Sequence, residues 1–398
     1  MTRARDIMPT LPLTATNTRR VYLDFNASTP LAPDVVSVME PLLREHYGNP
    51  SSQHWAGRQA HRIVEEARAE VAALLNAVPQ QIVFTSGGTE ANNHAIKGIV
   101  MRRGIESAHI ITTQIEHPAV LEPCRFLERL GASVTRLPVD STGMVDPDDV
   151  RRALRRETVL VSVMHANNEV GTIEPIAAIG DITRERGVPF HVDAAQSVGK
   201  IPVDVHRLGV DMLSVAGHKL YAPKGVGALY VRDNLELESF MHGAGHESGR
   251  RAGTENVLLI AGLGAACRLA RLDPCGDRLA RLTAFFWDRL QREFGDGVIL
   301  NGHPTERLPN TLNVSLRNQR GYELLSRLDG IAASTGSACH AGTTSLSAVL
   351  TAMDIEPEIG LAAIRLSVGR TTTHDEVEYA VEQLKAQAPL SVSRREIP

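Results

Sequence analysis

His191-Val192-Asp193-Ala194-Ala195-Gln196 ends an apolar, β-branched run with an acid, and 26 residues beyond that acid a second such run ends at Gly217-His218-Lys219. Short apolar runs of this kind, bounded by polar or small residues, read as strands buried on both faces. These two lie at residues 188–192 and 212–215 and others at 81–85, 109–113, 158–164 and 227–231, and helix-capable segments such as 119–130 and 176–186 separate most of them. The βαβα order predicts an α/β fold with a mainly parallel sheet covered by helices on both faces. Ligands of such sheets sit at the carboxyl ends of the strands, where Asp193 and Lys219 both fall.

Outward from this core the pattern changes. Residues 58–76 carry Val64, Ala67, Val71, Leu74 and Leu75 at helical spacing, which predicts an amphipathic helix. Beyond about residue 275 come a helix at 278–293, strand-like runs at 311–315 and 363–367, and a last helix from Asp375. We expect a large domain over 35–275, a smaller α+β domain from 21–34 and 276–398, and an N-terminal tail at 1–20. The 398 residues carry 42 Lys+Arg against 46 Asp+Glu, a net charge of −4, and no long basic run, so direct nucleic-acid binding is not expected. The longest apolar stretch, residues 257–267, is too short to span a bilayer. No apolar signal segment stands at the start, and the four cysteines form neither a disulfide framework nor a zinc pattern, which points to the cytoplasm. Cys124 shares helical spacing with Val120 and Leu127 and reads as core; Cys267 and Cys275 have no supporting context.

Three features carry chemistry. Thr85-Ser86-Gly87-Gly88-Thr89-Glu90 follows a strand and opens a helix, so backbone N–H groups there face an anion, although Gly-Gly at such a place is often a plain turn. Asp193 sits at a strand end. Lys219 does too, where a desolvated amine is a candidate for Schiff-base chemistry and a surface loop is the alternative. Together they are what pyridoxal 5′-phosphate requires: an anchor for its phosphate, a partner for its pyridine nitrogen and an amine for its aldehyde.

With these motifs the chain resembles the cysteine desulfurase and selenocysteine lyase group of the aminotransferase class-V family, fold-type I pyridoxal-phosphate enzymes. The resemblance spans residues 21–388 and includes Tyr22-Leu23-Asp24-Phe25-Asn26-Ala27-Ser28-Thr29-Pro30, Gly48-Asn49-Pro50-Ser51-Ser52, Glu116-His117, Asn167-Asn168-Glu169-Val170-Gly171, Arg251-Ala252-Gly253-Thr254-Glu255-Asn256, Gly336-Ser337-Ala338-Cys339-His340 and Ile364-Arg365-Leu366-Ser367. It implies that Lys219 carries the cofactor and moves the α-proton, Asp193 pairs with the ring nitrogen, Gln196 with the ring hydroxyl, and His117 stacks on the ring. It assigns Gly88, Thr89 and His218 to the phosphate, joined by Thr254 from the second subunit of a homodimer. Asn168 and Arg365 would take the substrate carboxylate, a guanidinium fork suiting that group, with a structural ion pair as the competing role for Arg365. Cys339 would accept the sulfur of L-cysteine as a persulfide, releasing L-alanine, and pass it to a sulfur-acceptor protein.

The chain departs from many desulfurases in having Ala216 where a serine three residues before the lysine helps bind phosphate. Ser214 shares its strand face and is a candidate to compensate. Cys339-His340, Thr254-Glu255-Asn256 and Leu308-Pro309-Asn310-Thr311 look closer to selenocysteine lyases, so L-selenocysteine is the alternative substrate. A different pyridoxal-phosphate reaction and a non-catalytic partner subunit are the remaining rivals, the latter disfavoured by Asp193, Lys219 and Cys339 occurring together.

Overall fold

The computed structural model describes residues 19–335 and 346–388. Its strands in chain order are β1 Val21–Tyr22, β2 Ile82–Thr85, β3 His109–Thr113, β4 Ser133–Leu137, β5 Thr158–Met164, β6 Phe190–Asp193, β7 Met212–Ala216, β8 Gly227–Val231, β9 Val298–Asn301, β10 Thr311–Leu316, β11 Ile331–Ala332 and β12 Ala363–Ser367. Seven form one sheet in the order β2-β8-β7-β6-β5-β3-β4. Strand β8 is antiparallel to both β2 and β7, and the other pairs are parallel. The remaining six strands therefore run one way and end on one edge.

Alternation along these strands explains the layers. Leu160, Met212 and Leu229 pack on one side with Ala91, Ala95 and Ile99 of the helix Gly88–Arg103. Their neighbours Val161, Leu213 and Ala228 pack on the other with Val64, Val71 and Leu263. Successive strand side chains point to opposite faces, so a sheet covered on both needs apolar residues at nearly every position. The apolar stretch at 257–267 lies within the helix Val257–Leu272, which packs against the helix Trp55–Leu75. Among the described residues no helix is long and apolar enough to cross a membrane.

A second core gathers Val21 and Leu23 with residues from 275 to 388. Its sheet has the order β12-β10-β9, and β1 pairs in parallel with β11, bringing the start of the described chain onto this unit. Ala32 and Val35 instead pack into the core of the seven-stranded sheet.

The open edge of the large sheet is closed by side chains. On β2 the Phe84 N–H donates to Glu247 Oε2 at 2.8 Å and the Ile82 carbonyl accepts from Arg68 Nη1 at 2.9 Å. Arg68 and Glu247 bind each other through two hydrogen bonds of 2.7 and 2.9 Å, both side chains buried. A strand edge left bare would invite further pairing; this ion pair occupies it.

Four strands have no counterpart in the apolar runs of the sequence: β1 and β11, of two residues each, and β4 and β9. Strand β4 is half exposed at the opposite edge and carries Thr135 and Arg136, so its pattern lacks the continuous apolar run of a central strand. Strand β9 has four residues on the outside of the small sheet.

Candidate active site

The common edge of the six co-directional strands collects the site. Asp193 ends β6 and is buried. Its Oδ2 accepts from Asn92 Nδ2 at 2.7 Å and its Oδ1 from the Ala195 N–H at 2.9 Å, which fixes the carboxylate plane. Asn92 lies one turn into the helix Gly88–Arg103, so the helix that begins at the Gly-rich loop also positions the acid. The sequence reading attached no role to Asn92; its spacing of one helical turn from Thr89 was the available signal.

Lys219 follows β7. Its Nζ donates to the Asn26 carbonyl at 2.6 Å and the Ala27 carbonyl at 2.8 Å. Burial and the nearby Arg365 guanidinium bring its pKa down to about 8, against the opposing pull of Asp193 and Asp24. The amine is therefore far more available in neutral form than an ordinary lysine.

The loop before the helix Gly88–Arg103 is shaped by glycine. Gly87 has φ of 150° with open space where a side chain would stand, and a Cβ on Gly227 of β8 would come within 2.7 Å of the Gly87 backbone. The loop thus rests directly on β8. The first N–H groups of the helix have no intrahelical acceptor. Glu90 in its first turn accepts from the Ser86 N–H at 2.7 Å and from Arg251 Nε at 2.8 Å. Burial pushes that carboxyl up, but Arg251 and Ser86 outweigh it and hold it below the ordinary value.

Two histidines flank the lysine. His117 caps the helix Pro118–Arg129, its Nδ1 accepting from the Ala119 N–H at 3.0 Å. That bond places the proton of the neutral ring on Nε2. Burial lowers its pKa, with Lys219 adding to the effect and Asp193 opposing it. His218 is lowered to about 4 by burial and by Lys219, Lys224 and His117, and its Nδ1 lies 3.4 Å from Ser28 Oγ. Beside His117, burial pushes Glu116 up to about 8. Its Oε1 accepts from Thr113 Oγ1 and the Met164 N–H, both at 2.8 Å, tying the end of β3 to β5.

Arg365 of β12 is buried, with Nη2 2.8 Å from Asp24 Oδ1 and Nη1 2.9 Å from the Asn168 carbonyl, while its Nε has no partner among the described residues. The structural ion pair is therefore present, and Asn168 meets Arg365 through its backbone. Gln196 donates from Nε2 to the Asn26 carbonyl at 3.0 Å. The Asn26 carbonyl, within the Tyr22–Pro30 motif, thus holds both Lys219 and Gln196.

Ser214 does not compensate for Ala216. Its Oγ lies 2.9 Å from His191 Nε2, and His191 Nδ1 lies 2.8 Å from Ser162 Oγ, a buried chain crossing β5, β6 and β7. Strand alternation placed Ser214 on the right face, but the buried imidazole takes its hydroxyl. Thr254 is exposed and makes no hydrogen bond among the described residues. Cys339 and His340 lie outside the described residues. Cys124 and Cys267 are buried in the cores and their thiols are pushed up by burial, Cys124 to about 12; Cys275 is buried in the second core. No group of side chains among the described residues forms a metal site.

An acid fixed at the end of β6, a lysine of depressed pKa and a helix N-terminus opened by glycine fit the ring nitrogen, the aldehyde and the phosphate of pyridoxal 5′-phosphate in their chemistry. They define a pyridoxal-phosphate enzyme of fold-type I, and residues 21–380 match the family model described as aminotransferase class-V, so the chain belongs to that family. Its relatives there are cysteine desulfurases. It is 47% identical over 371 residues to the cysteine desulfurase IscS of Dictyoglomus turgidum, covering 92% of this chain and 94% of that one. Among solved structures, a NifS-like protein superposes with a TM-score of 0.86 at 36% identity, over 92% of this chain and 98% of its own. A structure described as SspA in complex with cysteine gives 0.80 at 38%, over 87% and 98%.

Proposed function

We propose that this enzyme performs the cysteine desulfurase reaction through Lys219, Asp193 and Cys339, converting L-cysteine to L-alanine and leaving a persulfide on Cys339 for a sulfur-acceptor protein. The observation that carries the reading is Lys219, held at a strand end with Asp193 on the neighbouring strand and a pKa of about 8. Pyridoxal phosphate, when bound, supplies the electron sink that stabilises a carbanion at the substrate α-carbon. Gly88, Thr89 and His218 would hold its phosphate, Asp193 its ring nitrogen, Gln196 its hydroxyl and His117 its ring face.

The protein groups then divide the work. Lys219 Nζ takes the α-proton, which a neutral fraction raised far above that of an ordinary lysine favours. Arg365 and Asn168 orient the substrate carboxylate; the Arg365 fork, now on Asp24 and the Asn168 carbonyl, is already aimed by these contacts. The Cys339 thiolate attacks the substrate sulfur: an S–S bond forms, the Cβ–S bond breaks and its electron pair stays on carbon; one proton then adds at Cβ, and the proton held by Lys219 returns to Cα to complete L-alanine. We assign the large domain to 35–275 and the smaller one to 21–34 with 276–398; two separate cores support the division, with Ala32 packing into the large core and Cys275 into the small one at the seams. We further propose a homodimer in which Thr254, exposed in the single chain, completes the partner's phosphate site.

Replacing Cys339 by alanine tests the assignment. Sulfide release from L-cysteine should vanish while the cofactor's visible absorption persists. Undiminished sulfide release from that variant would refute the role of Cys339, and alanine formation from selenocysteine but not from cysteine by the wild type would favour the selenium substrate.

A further inference from the structure

Lys200 is buried inside the protein, and no carboxylate forms a salt bridge with it among the described residues. Its Nζ donates to Gln196 Oε1 at 2.8 Å and to Asn26 Oδ1 at 3.1 Å. Asn26 Oδ1 also accepts from Asn310 Nδ2 at 3.0 Å, and the Asn26 side-chain nitrogen donates to Thr311 Oγ1 at 2.8 Å. An isolated buried ammonium is costly, whereas a neutral amine has two N–H donors, the number of acceptors found here. The charged and titratable groups facing it are Lys219, Arg365 and the Cys275 thiol; burial and the two cations all lower its pKa.

The position of Lys200 matters because of what Gln196 must present. A carboxamide can face a neighbour with its oxygen or with its nitrogen, and the two orientations have nearly the same shape. Here the Asn26 carbonyl can only accept, so it requires the Gln196 NH2 group on its side, and Lys200 donates to the oxygen on the other. The same Asn26 carbonyl receives Lys219 Nζ at 2.6 Å. The Asn26 carbonyl and one buried amine therefore set the orientation of Gln196 together, and the amine also braces the side chain of the residue whose carbonyl seats Lys219.

We propose that Lys200 is a positioning residue of the active site: by donating to Gln196 Oε1 and Asn26 Oδ1 it locks the Gln196 amide with its second N–H directed at the cofactor's ring hydroxyl. This rests on the reading of Gln196 as the partner of that hydroxyl. Loss of Lys200 leaves Gln196 Oε1 without a donor and the amide held only by the Asn26 carbonyl, so the hydrogen bond to the ring hydroxyl loses part of its orientation.

The test compares Lys200→Met, Lys200→Gln, Gln196→Ala and the double variant Lys200→Met/Gln196→Ala as holoenzymes, with folding checked by circular dichroism. The readouts are the cofactor's absorption spectrum, the pH midpoint of its visible band, and the affinity of the apoenzyme for pyridoxal phosphate. Lys200→Met should weaken cofactor binding about tenfold, the scale of one hydrogen bond, and move the band midpoint in the same direction as Gln196→Ala. The double variant should be no worse than Gln196→Ala alone, and Lys200→Gln, which keeps an N–H donor on a shorter stem, should recover part of the shift. Spectrum and affinity unchanged in Lys200→Met, or effects that add in the double variant, overturn the proposal. If Lys200→Met does not fold, the same comparison runs through Lys200→Gln, where a displacement without any smaller effect than Gln196→Ala overturns it. If Gln196→Ala itself moves neither readout, it is the reading of Gln196 that fails.

Discussion

The lysine at the end of β7 titrates in a way that can be measured without substrate. Its pKa of about 8 stands against an ordinary 10.5. At pH 7 about a tenth of it is neutral, against roughly one part in 3,000 for an ordinary lysine, an advantage of about 300-fold in reactive amine. Raising the pH from 7 to 9 should increase its reactivity about tenfold and then level off, whereas an ordinary lysine gains about a hundredfold and continues to climb. Competitive acetylation of the apoenzyme, with the peptide bearing Lys219 quantified by mass spectrometry against an added lysine peptide, reads the profile directly. Arg365→Gln should move the midpoint upward on two counts, since it removes a cation beside Lys219 and frees Asp24, whose charge acts in the opposite sense. The same depression makes the folded apoenzyme bind fewer protons than the unfolded chain between about pH 8 and 10.5, so its stability rises with pH across that window by at most about 3 kcal/mol. A midpoint near that of an ordinary lysine, or one indifferent to Arg365→Gln, refutes the reasoning.

Other perturbations follow from the same geometry. Gly227→Ala pushes a Cβ to 2.5 Å from the Val215 carbonyl of β7 and 2.7 Å from the Gly87 backbone, so it should both lower the thermal transition of the apoenzyme and weaken pyridoxal-phosphate binding by fluorescence titration; an unchanged Kd counts against the loop as phosphate seat. Asn92→Leu removes a 2.7 Å donor from the buried Asp193 carboxylate, a charge-assisted bond worth about 1.5–3 kcal/mol, and should raise the cofactor Kd about tenfold or more. Arg68→Ala strands Glu247 at the sheet edge and should cost about 3–5 kcal/mol in urea unfolding; a loss below 1 kcal/mol would show the edge cap to be dispensable. His94, His109, His165, His191 and His218 are all lowered to about 4 with burial as the leading cause, while Glu116, Glu169 and Glu174 are raised by it. On acidification from pH 6.5 to 4.5 these histidines bind protons in the unfolded chain ahead of the native one and lower stability, while the raised glutamates, which hold their protons in the native state, oppose part of that fall; urea titrations across the range should show a net loss of stability toward pH 4.5.

The sequence makes the central sheet legible where strands are buried on both faces, as at His109–Thr113, Thr158–Met164 and Gly227–Val231, whose observed bounds match the expected ones. It is silent where a strand is partly wet: Ser133–Leu137 looks polar because one face meets solvent and Arg136 reaches Glu128. Asp193 and Lys219 stand out because charge at the end of an apolar run is unusual. Lys200 does not, since a lysine after Val198-Gly199 looks like an ordinary turn, and only its spacing of four from Gln196 hints that the two could meet. Ser214 shows the limit of periodicity, which assigns a face but not the neighbour, here His191, that claims the hydroxyl.

Glu90 binds the amide of the Gly-rich loop with one oxygen and, with both, the guanidinium of Arg251, three residues before Thr254. A mutational scan that treats this acid as a loop residue alone would therefore misattribute its effects. Any substitution there releases two segments at once, and only pairing it with a change at Arg251 separates what each segment contributes.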